Sequence, residues 1–232
     1  MTTSARYAVY LVPPRESRLW KLGCEWLGRD PESGEVFAPP EVEGCAPEKQ
    51  QRLIRSARMY GFHATMKPPF QLAEGVDEGR LADEVARLAA SIRSYSMPAL
   101  KMDRLGGFVA LVPAEPNEAL ADLASRCVTE LDAMRAPMDD EERERRLTTR
   151  LSDRQRELME RWGYPYVLEE FRFHMTLTDR LDENDAALLV PWIGEYFAEV
   201  LQSGALLAEL AIFMQPGAGK DFVLRRRTTF GH

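Results

Sequence analysis

The sequence predicts an α+β fold of two similar lobes, and three observations predict it. A Phe-His-x-Thr frame occurs twice, at Phe62–Thr65 and Phe173–Thr176. Its histidines, His63 and His174, stand 111 residues apart, about half of the 232-residue chain. The patterns around them also repeat: strand, helices, motif strand, helix and strand pair, then motif strand, helix and strand pair again. The expectation is a single bilobal domain over residues 1–232.

Each element follows from local chemistry. Residues 6–12 (RYAVYLV) form an apolar run that stops at Pro13-Pro14, a strand. Leu19, Trp20, Leu22, Trp26 and Leu27 give a mostly one-sided apolar face to a helix over 15–28. Segment 29–47, rich in Pro, Gly and Glu, is a loop. A short amphipathic helix over 48–58 leads into the first-motif strand, near 61–67. Leu81, Val85, Leu88 and Ile92 keep the 3.6-residue period, as do Leu120, Leu123, Cys127, Leu131 and Met134. Between those helices, 97–113 reads as two strands joined at Gly106-Gly107. The charge-dense stretch 138–161 is predicted to be a solvated connecting helix. The second-motif strand is expected near 168–178. An acidic helix over 183–202 follows, started by Asp182 and interrupted near Pro191. Two strands, 206–214 and 221–229, flank QPGAGK. There Lys220 precedes Asp221 rather than Ser or Thr and the glycine spacing is wrong for a phosphate loop, so a hairpin turn is expected.

Composition narrows the function classes. The hydrophobic share of 45% and charged share of 29% are those of a globular protein. A net charge of −7 supplies no global field for a nucleic-acid backbone, so extended nucleic acid is not an expected partner, whereas a small polyanion could meet a local basic pocket. Cys24, Cys45 and Cys127 fit neither a disulfide framework nor a metal knuckle and point to reduced thiols and a cytoplasmic location. The first residues carry too short an apolar run for a signal peptide or membrane span.

The motifs carry the chemistry. Side chains alternate on a strand, so His63, Thr65 and Lys67 are expected on one face, with Phe62, Ala64 and Met66 on the other. In the second copy Arg172, His174, Thr176 and Thr178 share a face opposite Phe171, Phe173, Met175 and Leu177. If the polar sets converge, two imidazoles can divide the proton transfers of phosphodiester hydrolysis. The hydroxyls of Thr65 and Thr176 can donate to the non-bridging oxygens. Lys67 and Arg172 are candidates to bind the phosphate charge. Tyr60 is a further substrate-binding candidate, although its parity favours a core or strand-edge role. With ten Phe and ten Thr, a given His has roughly one chance in five hundred of standing in this frame by accident. A zinc site fits badly with two His, Thr neighbours and no carboxylate in either motif, so neither metal nor other cofactor is expected. No G-x-S-x-G elbow is present. Strand alternation would split Arg225, Arg226 and Arg227 between faces, which argues against a basic patch there, and His232 stands in no motif.

These residues resemble a known family. His63-Ala64-Thr65-Met66 and His174-Met175-Thr176-Leu177 match the paired motifs of the 2H phosphoesterase superfamily position by position. The strings YGFHATMKPPFQL, RLGGFVALVP and WGYPYVLEEFRFHMTLTDRL look like the branch of uncharacterised proteins often encoded in bacterial phosphonate-utilisation operons. The resemblance implies two pseudo-symmetric lobes of antiparallel sheet, with outer helices and a central cleft. It implies metal-independent cleavage of a small, commonly cyclic, phosphodiester, with His63, Thr65, His174 and Thr176 as catalytic residues. The operon association suggests a ribose cyclic phosphate. Two alternatives stand beside it: processing of a 2′,3′-cyclic or 2′–5′ RNA end, and a nucleotide-binding regulator without turnover. The acidic charge argues against the first, and the four intact motif positions against the second.

Overall fold

The computed structural model of the chain describes residues 5–93, 95–97, 99–138, 143–144, 151–202 and 205–231. A seven-stranded antiparallel sheet organises it. Its strands, in chain order, are β1 (Arg6–Val12), β2 (Ala64–Phe70), β4 (Leu100–Leu105), β5 (Phe108–Pro113), β6 (Met175–Thr176), β8 (Glu209–Gln215) and β9 (Val223–Thr229). They lie side by side as β4-β5-β6-β2-β1-β8-β9. Two short strands, β3 (Tyr95–Met97) and β7 (Ala205–Leu207), pair separately. The motif strands β2 and β6 meet in the middle, with one lobe's strands on each side.

The lobes exchange strands. The pair β4-β5, which follows the first motif in sequence, extends the sheet from the second-motif strand β6. The pair β8-β9, which follows the second motif, extends it from β1 beside the first. Sequence order therefore repeats, but each lobe is assembled from both halves of the chain.

Helix α1 (Arg18–Leu27) starts where the Ser17 hydroxyl accepts from the Trp20 amide, and its Trp26 indole donates to the Leu177 carbonyl at 2.7 Å, just past the second motif. The helix expected over 48–58 is two: α2 (Pro47–Leu53) and α3 (Arg55–Tyr60), hinged at the fully buried Ile54. The break has a tertiary cause. The Asp179 amide takes the Leu53 carbonyl and the Asp179 carboxylate accepts from the Ser56 amide at 2.9 Å, capping α3 from beyond the second motif. Helices α4 (Glu78–Ala90) and α5 (Glu118–Glu130) pack on β8-β9 and on β2. The charge-dense call at 138–161 falls partly outside the described residues; its described end forms α6 (Asp153–Trp162), opened by a Ser152–Gln155 capping box. The acidic helix runs unbroken through Pro191 as α7 (Glu183–Tyr196), breaks six residues later than expected, and resumes as α8 (Ala198–Gln202).

Gly106 and Gly107, both at positive φ, make the two-residue turn between β4 and β5. The strand expected near 168–178 is paired only at Met175–Thr176. Leu168, at φ 53°, opens a 3₁₀ turn, and Thr178 ends the ladder by accepting the Val109 amide on its hydroxyl at 2.9 Å. The core runs through both lobes, with Ala8–Val12, Met175 and Leu210–Phe213 fully buried. Among the described residues no helix is long and apolar enough to cross a membrane.

Candidate active site

Ala64 pairs with Met175 across the middle of the sheet. Continuing that antiparallel register by one residue each way sets His63 opposite Thr176 and Thr65 opposite His174. Directly opposite residues share a face at about 4.5–5.5 Å between Cβ atoms. That register sets the two His and two Thr of the motifs on one face of neighbouring strands, with His174 near enough to act electrostatically on His63.

Both histidines are braced alike. The Nδ1 of His63 lies 2.8 Å from the Gly61 carbonyl and that of His174 lies 2.7 Å from the Arg172 carbonyl, in each case two residues upstream. A carbonyl can only accept, so Nδ1 carries the proton and donates, leaving Nε2 as the basic nitrogen. In the first motif Nε2 sits 3.2 Å from the Thr65 hydroxyl. Gly61 adopts φ 81° and ψ 176°, a conformation open to glycine, to aim its carbonyl back at the ring.

Their surroundings differ. The Tyr10 ring stacks on His63 at 3.6 Å and 19°, and Phe213 and Tyr60 stand at 6.1 and 6.4 Å. Burial pushes His63 down to about 3, the nearby His174 adds to that, and the Gly61 carbonyl only partly opposes it. His174 has the Phe108 ring at 5.6 Å. Burial lowers its pKa too, against the pull of the Arg172 carbonyl.

Lys67 is a correction. Val9 faces Lys67 while its neighbour Tyr10 faces Thr65, so β2 holds one extra residue, Met66, between them. Such a bulge inverts the alternation and turns Lys67 to the opposite face from Thr65. There it is 2% exposed, donates to the Val128 carbonyl in the last turn of α5 at 3.0 Å and lies 3.7 Å from Asp132, with burial pushing it down to about 8. It fastens a helix end rather than a substrate. Thr178 is likewise buried and committed to the Val109 amide. Arg172 is exposed two residues before His174, without an ion pair among the described residues. Tyr60, the last residue of α3, stacks on Phe222 at 4.9 Å beside His63, both a packing residue and a wall of the site.

Sequence reasoning missed Tyr10, Phe213 and Phe222. All three lie in strands or strand ends that read simply as core; Tyr10 and Phe213 meet His63, and Phe222 packs on Tyr10 and Tyr60. Tyr10 in particular is fully buried, inside an unbroken apolar run. Its phenol was the one polar tip in the middle of that run. The QPGAGK segment forms the turn between β8 and β9, with the Lys220 amide closing on the Gly217 carbonyl. Among the described residues no three His, Cys, Asp or Glu side chains cluster in a way that could hold a metal ion.

A family profile described as "Protein of unknown function (DUF1045)" matches residues 65–223. Two curated relatives are similar along nearly the whole chain. One, "Ribose 1,5-bisphosphate phosphokinase PhnN" of Laribacter hongkongensis, is 41% identical over 224 residues, 95% of this chain and 51% of that protein. Another of the same name, from Janthinobacterium sp. (strain Marseille), is 39% identical over 229 residues, 97% of this chain and 51% of that protein. The chain spans about half the length of these relatives. Among solved structures, E. coli LigT complexed with 3′-AMP is similar at a TM-score of 0.43 and 12% identity, covering 98% of this chain and 99% of that one. E. coli LigT complexed with ATP has a TM-score of 0.44 at 12% identity, covering both chains completely.

Proposed function

The chain belongs to the DUF1045 family, and we propose that it is a phosphodiesterase of the 2H type that hydrolyses a small cyclic phosphodiester by two-histidine acid–base catalysis without a metal ion. The observation that supports this best is the cross-strand pairing of the motifs at Ala64 and Met175, from whose register two imidazoles and two hydroxyls would flank one phosphate. In the proposed step Nε2 of one histidine takes a proton from water as its oxygen bonds to phosphorus. The ring P–O bond breaks, and the other histidine gives its Nε2 proton to the departing sugar oxygen. Cyclic diester and water become a phosphomonoester and a hydroxyl. Thr65 and Thr176 donate to the non-bridging oxygens as charge builds there. Arg172 stands at the exposed side to offset that charge.

The environments favour a division of labour. His63, under the Tyr10 ring and among other aromatics, is held neutral by burial, the protonation state from which a base starts. His174 has less aromatic cover and suits the acid, with the arriving phosphate drawing its pKa up.

For the substrate, the names of the relatives support a ribose phosphate. Their kinase activity suits the half that this chain does not span, because a nucleotide-dependent kinase of the phosphate-loop type needs a Gly-rich loop ending in Lys and Ser or Thr, and here Lys220 is followed by Asp221. The test is phosphorus NMR of ribose 1,2-cyclic phosphate and of adenosine 2′,3′-cyclic phosphate incubated with the protein and EDTA. Loss of the cyclic signal in favour of a monoester, at an unchanged rate with chelator, is the expected result. No turnover of either, or turnover abolished by EDTA, would reject the proposal.

A further inference from the structure

Asp179 follows the second motif closely, and Ser56 stands shortly before the first. The two residues meet. The Ser56 amide donates to the Asp179 carboxylate, at 2.9 Å to one oxygen and 3.3 Å to the other, and the Ser56 hydroxyl donates to the second oxygen at 3.1 Å. In the opposite direction the Asp179 amide donates to the Leu53 carbonyl at 2.6 Å. The carboxylate thus holds the start of α3, where first-turn amides have no partner within the helix and the helix dipole favours a negative charge.

What α3 carries is the setting of His63. The helix ends on Gly61, whose amide donates back to the Ala57 and Arg58 carbonyls at 3.0 and 3.2 Å. From that end the Gly61 carbonyl reaches the His63 Nδ1, and Tyr60 stands beside the same ring. A displacement of α3 therefore moves the brace of His63 and leaves the brace of His174, the Arg172 carbonyl, where it is. The stretch from His174 to Asp179 has little slack of its own. Met175 and Thr176 pair with β5, the Leu177 amide donates to the Val109 carbonyl at 2.9 Å, and the Trp26 indole holds the Leu177 carbonyl. Between the motif strands the ladder gives a single pair among the described residues, Ala64 with Met175. One pair fixes a point about which a strand can pivot. The bonds of Asp179 to α3 supply a second.

We propose that Asp179 is a positioning residue for the reaction: by tying the end of the second motif to α3, it sets where the Gly61 carbonyl holds His63 relative to His174. This rests on the phosphodiesterase reading and adds to it the device that fixes the spacing of the acid and the base. Asp179 touches neither imidazole and acts through the helix.

The test is steady-state kinetics on ribose 1,2-cyclic phosphate and adenosine 2′,3′-cyclic phosphate, with nitrogen NMR of the histidine side chains on the same samples and His63→Gln assigning the signals. Asp179→Ala should lower kcat by about 10- to 100-fold at a KM within about two-fold of the parent, because the misplaced group acts in the transition state and not in binding. Its His63 ring signals should move away from the Nδ1-protonated tautomer while those of His174 stay. Asp179→Asn, which keeps an oxygen for the Ser56 amide, should restore kcat to within about three-fold. Parental kcat in Asp179→Ala, a loss carried by KM, or an Asp179→Asn variant as slow as Asp179→Ala overturns the inference and leaves the phosphodiesterase reading standing. Should thermal melts show Asp179→Ala unfolded, Ser56→Ala, which removes only the hydroxyl bond, should still lower kcat about three-fold at unchanged KM, and parental kcat there overturns the inference. If the wild type opens neither compound, the phosphodiesterase reading fails and the ring signals alone decide. His63 signals displaced in Asp179→Ala and restored in Asp179→Asn support the positioning role, and signals unaltered in Asp179→Ala overturn it.

Discussion

The two motif segments share their bracing and differ in nearly everything else. In both, a carbonyl two residues upstream accepts a hydrogen bond from the histidine Nδ1 and fixes the tautomer. The first histidine precedes a seven-residue strand, β2, whose partner β1 is buried from Ala8 to Val12. Tyr10 of that strand covers its ring at 3.6 Å. The second enters a two-residue strand, beside the exposed Arg172, with Phe108 at 5.6 Å. What repeats is the part that aims an imidazole. What diverges is the part that sets how readily that imidazole carries charge. A duplicated frame can thus supply two unlike catalysts, as acid and base chemistry at one phosphorus demands.

The sharpest way to break this comparison is to remove either ring. His63→Ala and His174→Ala should each lower kcat/KM on a cyclic phosphodiester by about 10³-fold, and the double variant should fall little further, because the pair acts as a unit. Steady-state kinetics checks this, and near-parental rates in both single variants would end the two-histidine account. Next comes the cover over each ring. Tyr10→Leu should cost about 2 kcal/mol of stability and raise the His63 pKa in an NMR titration, whereas Phe108→Leu should cost less than half as much and leave His63 where it is. Lys67→Met should lower stability by about 1–2 kcal/mol in urea denaturation, leaving the Val128 carbonyl unpaired, while turnover stays within about two-fold of the parent. A fall in kcat of ten-fold or more would return Lys67 to the site.

The last comparison is of pH dependence. His63 titrates near 3 folded and about 6.5 unfolded, so as pH falls below 6.5 the unfolded chain takes up the proton first. Stability should therefore drop with falling pH through the window from 6.5 to 3, by up to about 1.4 kcal/mol per pH unit for this group. His174 shifts the same way. Denaturation at pH 7, 6 and 5 should show a slope that His63→Gln flattens more than His174→Gln does. Equal flattening would mean that the two environments are energetically alike.

The motif pairing was legible because period-two alternation and a repeated four-residue frame survive in the sequence. The Gly106-Gly107 turn and the cap at Asp182 were legible for the same reason, since each is a local rule. Where long-range contacts decide, local rules failed. The bulge at Met66 inverted Lys67, and the neighbouring Pro68-Pro69, which cannot donate to a ladder, was its only trace. Asp179 split a helix 123 residues away at Ser56. The aromatic cover of His63 comes from β1, β8 and the end of α3, and in β1 and β8 the core-facing and site-facing residues are equally apolar. The exchange of strand pairs between lobes leaves no mark in pattern order.

That exchange bears on how the chain acquires its structure during synthesis. Arg6 pairs with Gln215, so β1 gains its neighbour on that side only after some two hundred further residues have been made, about 10–40 s at ordinary elongation rates. For that interval a strand with five successive core residues presents an unpaired edge, the kind that recruits other nascent chains. The β1–β8 ladder, and with it the Phe213 side of the His63 ring, is therefore among the last parts of the sheet to close.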